Sequence, residues 1–114
     1  PGLEDRAPRR LLLTRGPAPG NWERIGAPEE IATLDRVDHL LVEGGAGAAA
    51  AFLRADLIDR LLLYRAPILI GDGLAGIGDI GLGDLAQAHG RWRLTDGRTL
   101  GVDKLEVYDR VRNA

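Results

Sequence analysis

The sequence predicts an α/β domain: a mixed sheet with flanking helices and an antiparallel hairpin at its end. Three observations carry that expectation. Short apolar runs recur at Arg10 to Thr14, His39 to Glu43 and Asp59 to Arg65, too short for helices and of strand length. Between them lie segments with helical spacing or small side chains. Two alternating segments, Arg91 to Thr95 and Lys104 to Arg110, close the chain and suit half-exposed antiparallel strands. Strands that alternate with helices favour parallel pairing, and the final hairpin adds the antiparallel part.

The elements follow in order. Pro8 and Gly16-Pro17 bound the first strand, and the prolines and glycines of Gly16 to Gly20 (GPAPG) make a loop. Trp22 to Ile25 is a short strand or edge. Ala27-Pro28-Glu29-Glu30 reads as a first helical turn, because proline fits there and acids favour the positive end of the helix dipole. Ile31, Leu34 and Val37 continue it at helical spacing. His39 to Glu43 (HLLVE) reads as a second buried strand that Gly44-Gly45 ends. Ala46 to Asp56 reads as a helix, with alanines at Ala48 to Ala51. Asp59 to Arg65 is a third strand that Pro67 interrupts, with Ile68 to Ile70 extended beyond it. Six glycines in the thirteen positions 71–83 predict loop. Asp96-Gly97 is a turn signal, and Pro1 to Pro8 reads as loop.

Length and composition limit the function classes. The chain has 114 residues, one domain at most, since domains commonly run about 100–150 residues. With 15 Lys+Arg against 17 Asp+Glu, its net charge is −2. That balance argues against a nucleic-acid or membrane-surface protein driven by bulk charge. There is no Cys, which removes disulfides, thiolate zinc sites and cysteine nucleophiles together. His39 and His89 are the two histidines, so neither a His-rich metal site nor a His-paired triad is expected. No apolar run is long enough to span a bilayer.

The strongest local feature is Leu40 to Gly47: apolar run, acid, glycines, then a helix start. A helix N-terminus presents unpaired N–H groups that attract phosphate, and glycine lets a pyrophosphate approach the backbone. The same pattern also serves as a plain tight turn in which glycine relieves sterics. Glu43, at the end of the run, could bind substrate hydroxyls or amines, or merely cap the turn or pair with an arginine. Arg15, after the first strand, could hold a phosphate or be one of fourteen surface arginines. Gly71 to Gly76 matches G-x-G-x-x-G by letter, but the glycines that follow cannot make the helix that the fingerprint needs. Asp72, Asp79 and Asp84 lack the spacing of a cation loop.

From Leu41-Val42-Glu43-Gly44-Gly45-Ala46 through Ala55-Asp56-Leu57-Ile58-Asp59 to Ala66-Pro67-Ile68-Leu69-Ile70-Gly71, the chain resembles the reductase domain of the bifunctional riboflavin-biosynthesis deaminase/reductase family. That family's pattern is an apolar strand ending E-G-G, a small-residue helix ending A-x-L-x-D, and a strand ending A-P-x-L-x-G. The opening strand and the closing hairpin are also similar. The resemblance implies a dihydrofolate-reductase-like fold and NADPH-dependent reduction of 5-amino-6-(5-phosphoribosylamino)uracil to the ribitylamino product. It implies Glu43 as a substrate contact. It implies Arg15, Gly45, Ala46, Gly47, Ala48, Ala49, Ala50 and Ala51 at the NADPH site, with no metal ligand and no catalytic side chain of the chain's own. Gly47 departs from the Thr of many members. The resemblance further implies a cytoplasmic homodimer that binds a pyrimidine ribose-phosphate. Residues 1–114 are expected to be the C-terminal portion of that domain, with its N-terminal strands missing and no deaminase domain in the chain. The alternative expectation is a non-catalytic α/β module for dimerisation or nucleotide binding.

Overall fold

The computed structural model describes residues 9–112; the loop expected at Pro1 to Pro8 lies outside the described residues. It is an α/β structure in two compact units, with the boundary between Glu43 and Gly44. In the first unit β1 (Leu11–Leu13) pairs in parallel with β2 (Glu23–Ile25). Leu11 stands beside Glu23 and Leu13 beside Ile25. Ile25 is buried. The pair is fastened at its edge by Arg9, whose guanidinium donates to both carboxylate oxygens of Glu23 at 2.9 and 2.6 Å and to the Asp35 carbonyl at 2.6 Å. This partner holds the Glu23 carboxyl below its ordinary range.

The helix expected after Pro28 is a 3₁₀ helix, Pro28–Thr33. Pro28 opens it, and Glu30 reaches back to accept from the Gly26 and Ala27 backbone N–H groups. That is half of a capping box. Leu34 turns extended and ends the helix, so Val37 lies outside it. The strand expected at residues 39–43 is not present. That stretch pairs with no strand among the described residues, and Leu41 is 72% exposed. Apolar content marks a strand only when a neighbour accepts its backbone hydrogen bonds.

The second unit holds α1 (Ala46–Arg54) and a three-stranded antiparallel sheet in the order β3 (Arg60–Arg65), β5 (Asp103–Arg110), β4 (Trp92–Leu100). The parallel and antiparallel pairings thus fall in two separate sheets rather than one mixed sheet. A short 3₁₀ helix, Leu85–Ala88, precedes β4, with the Asp84 carboxylate accepting from the Ala86 N–H.

Asp96-Gly97 does not form the turn its chemistry predicts. Both residues lie inside β4, just after a bulge at Thr95. The hairpin turns at Gly101-Val102, where Gly101 has φ +63°. A glycine with positive φ at the first central position is what a two-residue turn of type II′ requires. Residues 68–70 form no strand, and Leu69 is fully exposed. The glycine-rich stretch 71–83 is loop, as its composition requires, and no helix starts at Gly76.

Among the described residues the buried apolar side chains are Ile25, Ala50 and Phe52, all below 7% exposure. Among the described residues no helix is long and apolar enough to cross a membrane.

Candidate functional site

The glycine turn and the helix behind it form the best-defined candidate site. Gly44 has φ +145°, a conformation that a side chain rarely adopts, and a Cβ there would touch the Ala48 methyl at 3.4 Å. Gly45 is the N-cap of α1, extended at φ −77°, ψ −177°. It has no side chain to cap the helix, and no acid stands in the first turn. The first-turn N–H groups of Ala46, Gly47 and Ala48 therefore meet no side-chain acceptor from the cap. A Cβ at Gly45 or at Gly47 would enter open space. The terminus is bare, positive in potential and sterically open, which is the donor set that an anionic group needs.

The other face of α1 is closed by packing. Ala50 and Phe52 are buried. Gly78 donates its N–H to the Ala46 carbonyl at 3.1 Å. A Cβ on Gly78 would stand 3.2 Å from that oxygen and 3.3 Å from the Ala50 methyl. Small residues on both sides let the loop lie against the helix.

The far end of α1 is fastened by charge. Asp56 is left-handed, with φ +58°. The Leu57 N–H donates to the Phe52 carbonyl and the Asp56 N–H to the Leu53 carbonyl, the two bonds of a Schellman ending. The Asp56 carboxylate accepts a fork from Arg110, at 2.8 and 3.3 Å, and a further bond from Arg112 at 3.2 Å. The Arg110 bond holds the Asp56 carboxyl below the ordinary range. Arg110 also donates to the carbonyls of Arg91 and Val111. These residues line an open concavity of about 670 Å³ together with His89 and Gln87.

Sequence reasoning named Gly45 to Ala51, and the structure gathers these on one helical start. Arg15 and Glu43 both belong to the first unit and are exposed. Arg15 follows β1, and its carbonyl accepts from Arg24 at 3.3 Å. Gly44 belongs to the Leu40 to Gly47 feature but was given no binding role, and Gly78 and the Asp56–Arg110 fork were missed. The signal for Gly44 was present in the doubled glycine. For the fork there was none, since 54 residues separate its partners.

Residues 5–105 match the family described as RibD C-terminal domain. The chain belongs to this family. Among RibD relatives, the riboflavin biosynthesis protein RibD of Mycobacterium tuberculosis (strain ATCC 25618 / H37Rv) is 40% identical over 84 residues, covering 72% of this chain and 24% of that protein. The protein of the same name from Corynebacterium ammoniagenes is 36% identical over 86 residues, 62% of this chain and 25% of its own length. That from Aquifex aeolicus (strain VF5) is 38% identical over 72 residues, 63% of this chain and 20% of its length. The chain thus spans about a quarter or less of these curated relatives.

Proposed function

We propose that this chain is the C-terminal portion of a riboflavin-pathway reductase domain with a dihydrofolate-reductase-like fold. The whole enzyme reduces 5-amino-6-(5-phosphoribosylamino)uracil to its ribitylamino product with NADPH. The observation that carries this reading is the bare glycine N-cap of α1, in a chain of the RibD C-terminal domain family. Bound NADPH would supply the hydride. The chain's own residues bind and orient. The N–H groups of Ala46, Gly47 and Ala48 receive the phosphates, and Ala49, Ala50 and Ala51 continue the small-residue helix behind them. Gly47 adds no hydroxyl contact of its own. Arg15 offers a guanidinium to the adenosine end of the cofactor. Glu43 accepts hydrogen bonds from hydroxyl or amine groups of the pyrimidine ribose-phosphate. No residue of this chain is assigned a proton-transfer step. The enzyme works as a homodimer in the cytoplasm.

The test is NADPH titration of the chain, followed by fluorescence, with the variant Gly45→Asp. Aspartate is a better N-cap than glycine, and its Cβ has room, so the fold keeps or gains stability. Its carboxylate takes the first-turn donors and repels phosphate. Binding should weaken by about tenfold or more while the melting temperature does not fall. Unchanged affinity would remove the phosphates from this terminus.

A second reading, a non-catalytic module, is favoured by the exposure of Arg15, Glu43 and residues 39–41. It expects NADPH binding without turnover of the pathway substrate. Measurable turnover by the 114-residue chain would eliminate it.

A further inference from the structure

We infer that β4 pairs with the β4 of a second copy, antiparallel and centred on Gly97, closing a box of alternating charge; this rests on the homodimer proposed above and specifies its surface. β4 lies at one edge of the sheet β3-β5-β4, with no strand beyond it among the described residues. The ladder shows which groups look outward. Leu100 and Asp103 flank the two-residue turn and form its closing hydrogen-bonded pair. Hydrogen-bonded and open pairs alternate along an antiparallel ladder. Counting back through Thr99–Lys104 and Arg98–Leu105, the pair Gly97–Glu106 is an open one. The Gly97 N–H and C=O therefore face away from β5. The Gly97 N–H is met by the Asp96 carboxylate at 2.8 Å, a local acceptor at an edge that lacks a strand.

The sequence around that point is self-complementary when reversed. It reads Thr95-Asp96-Gly97-Arg98-Thr99. A two-fold axis at Gly97 makes Gly97 and its copy exchange both backbone bonds. It sets each Asp96 opposite an Arg98, while Thr95, the bulge residue, gives its hydroxyl to the Val107 carbonyl at 3.2 Å within its own sheet. Asp96 and Arg98 share one face of the sheet and already pair within the strand at 3.0 Å. In the dimer each carboxylate therefore gains a second guanidinium, and like charges lie only on the diagonals. Opposite charges across strands are favourable, and like charges opposite one another are not. Axes at Asp96 or at Arg98 would oppose two like charges, and an axis at Thr99 would set Arg98 opposite Leu100, so the axis at Gly97 is the one that places each Asp96 opposite an Arg98. The bulge at Thr95 keeps the pairing short.

The experiment uses Asp96→Arg and Arg98→Asp as single variants of the chain, in sedimentation at matched concentrations. Each single variant opposes two like-charge pairs to itself and should self-associate about tenfold or more weakly than the wild type. A one-to-one mixture of the two should restore the dimer. In the mixed pair the introduced arginine faces the introduced aspartate, and the remaining Arg98 of one copy faces the remaining Asp96 of the other. The double variant Asp96→Arg/Arg98→Asp should dimerise like the wild type. Gly97→Cys gives a second readout independent of charge. The chain has no other cysteine and a Cβ at 97 has open room. Facing residues about 5.5 Å apart suit a disulfide. Mild oxidation should cross-link it several-fold faster than Leu69→Cys. A wild type that stays monomeric overturns the pairing and the homodimer together. A dimer whose affinity ignores the charge reversals, or single variants that fail to rescue one another, overturns this surface and leaves the homodimer standing.

Discussion

At the residue scale, Asp56 joins a backbone cost to an electrostatic gain. A left-handed residue with a Cβ costs roughly 1–2 kcal/mol, and less for Asp and Asn, whose short polar side chains suit that conformation; Asp56 holds it at the end of α1. The fork from Arg110 offsets the cost. Three substitutions separate the two effects. Asp56→Asn tolerates the left-handed turn but loses the charge. Asp56→Gly removes the strain and the charge, and Asp56→Ala loses the charge and keeps the strain. In urea denaturation at neutral pH, Asp56→Ala should be the least stable, below Asp56→Gly by about 1 kcal/mol. The pH dependence follows from the lowered folded-state value of Asp56. Its contribution is present above the unfolded-state carboxylate value, about 3.9, and is lost as pH falls through the folded value. The stability difference between wild type and Asp56→Asn should therefore shrink on acidification below about pH 4. A difference that stayed constant down to low pH would show that the charge is not what matters at this residue.

At the element scale, α1 is a helix because alanine favours it, and it is placed by what lies beside it. Gly78 lies so close that a methyl group must displace the Ala46 carbonyl or the Ala50 side chain. Gly78→Ala should destabilise the chain by about 1–3 kcal/mol, whereas Gly83→Ala, in open space, should change little. Equal effects at the two sites would mean that loop and helix do not pack in solution. The same element shows what sequence can carry. Local propensity and flanking glycines were enough to read α1, β1 and β3. They also gave the closing hairpin, though not its turn. Asp96-Gly97 has turn chemistry, but Gly101 supplies the positive φ, and the ladder runs straight through Gly97. Residues 39–43 have strand composition and no strand, since pairing is a property of neighbours. The candidate phosphate turn was legible because its parts are consecutive in the chain. The Asp56–Arg110 fork was not, because nothing local ties residue 56 to residue 110.

At the scale of the whole molecule, the distribution of apolar side chains sets stability and solubility apart. Phe52 and Ala50 are buried, while Leu69 and Leu74 are fully exposed and Ile70 is 76% exposed. A side chain that leaves water only in the folded state contributes through burial and packing, and one that stays in water contributes neither. Phe52→Ala should therefore cost about 3 kcal/mol or more, enough to lower the melting temperature by many degrees in a chain of this size. Leu69→Ser and Leu74→Ser should change stability by no more than about 0.5 kcal/mol. They should also raise solubility and reduce binding of an apolar dye, because they remove exposed apolar surface. Thermal melts and dye titrations of the three variants read both effects. If Leu69→Ser were as costly as Phe52→Ala, the 68–70 segment would be packed against protein in solution. The cost would then depend on chain concentration if that protein is a second copy, and would be independent of it if the contact lies within one chain.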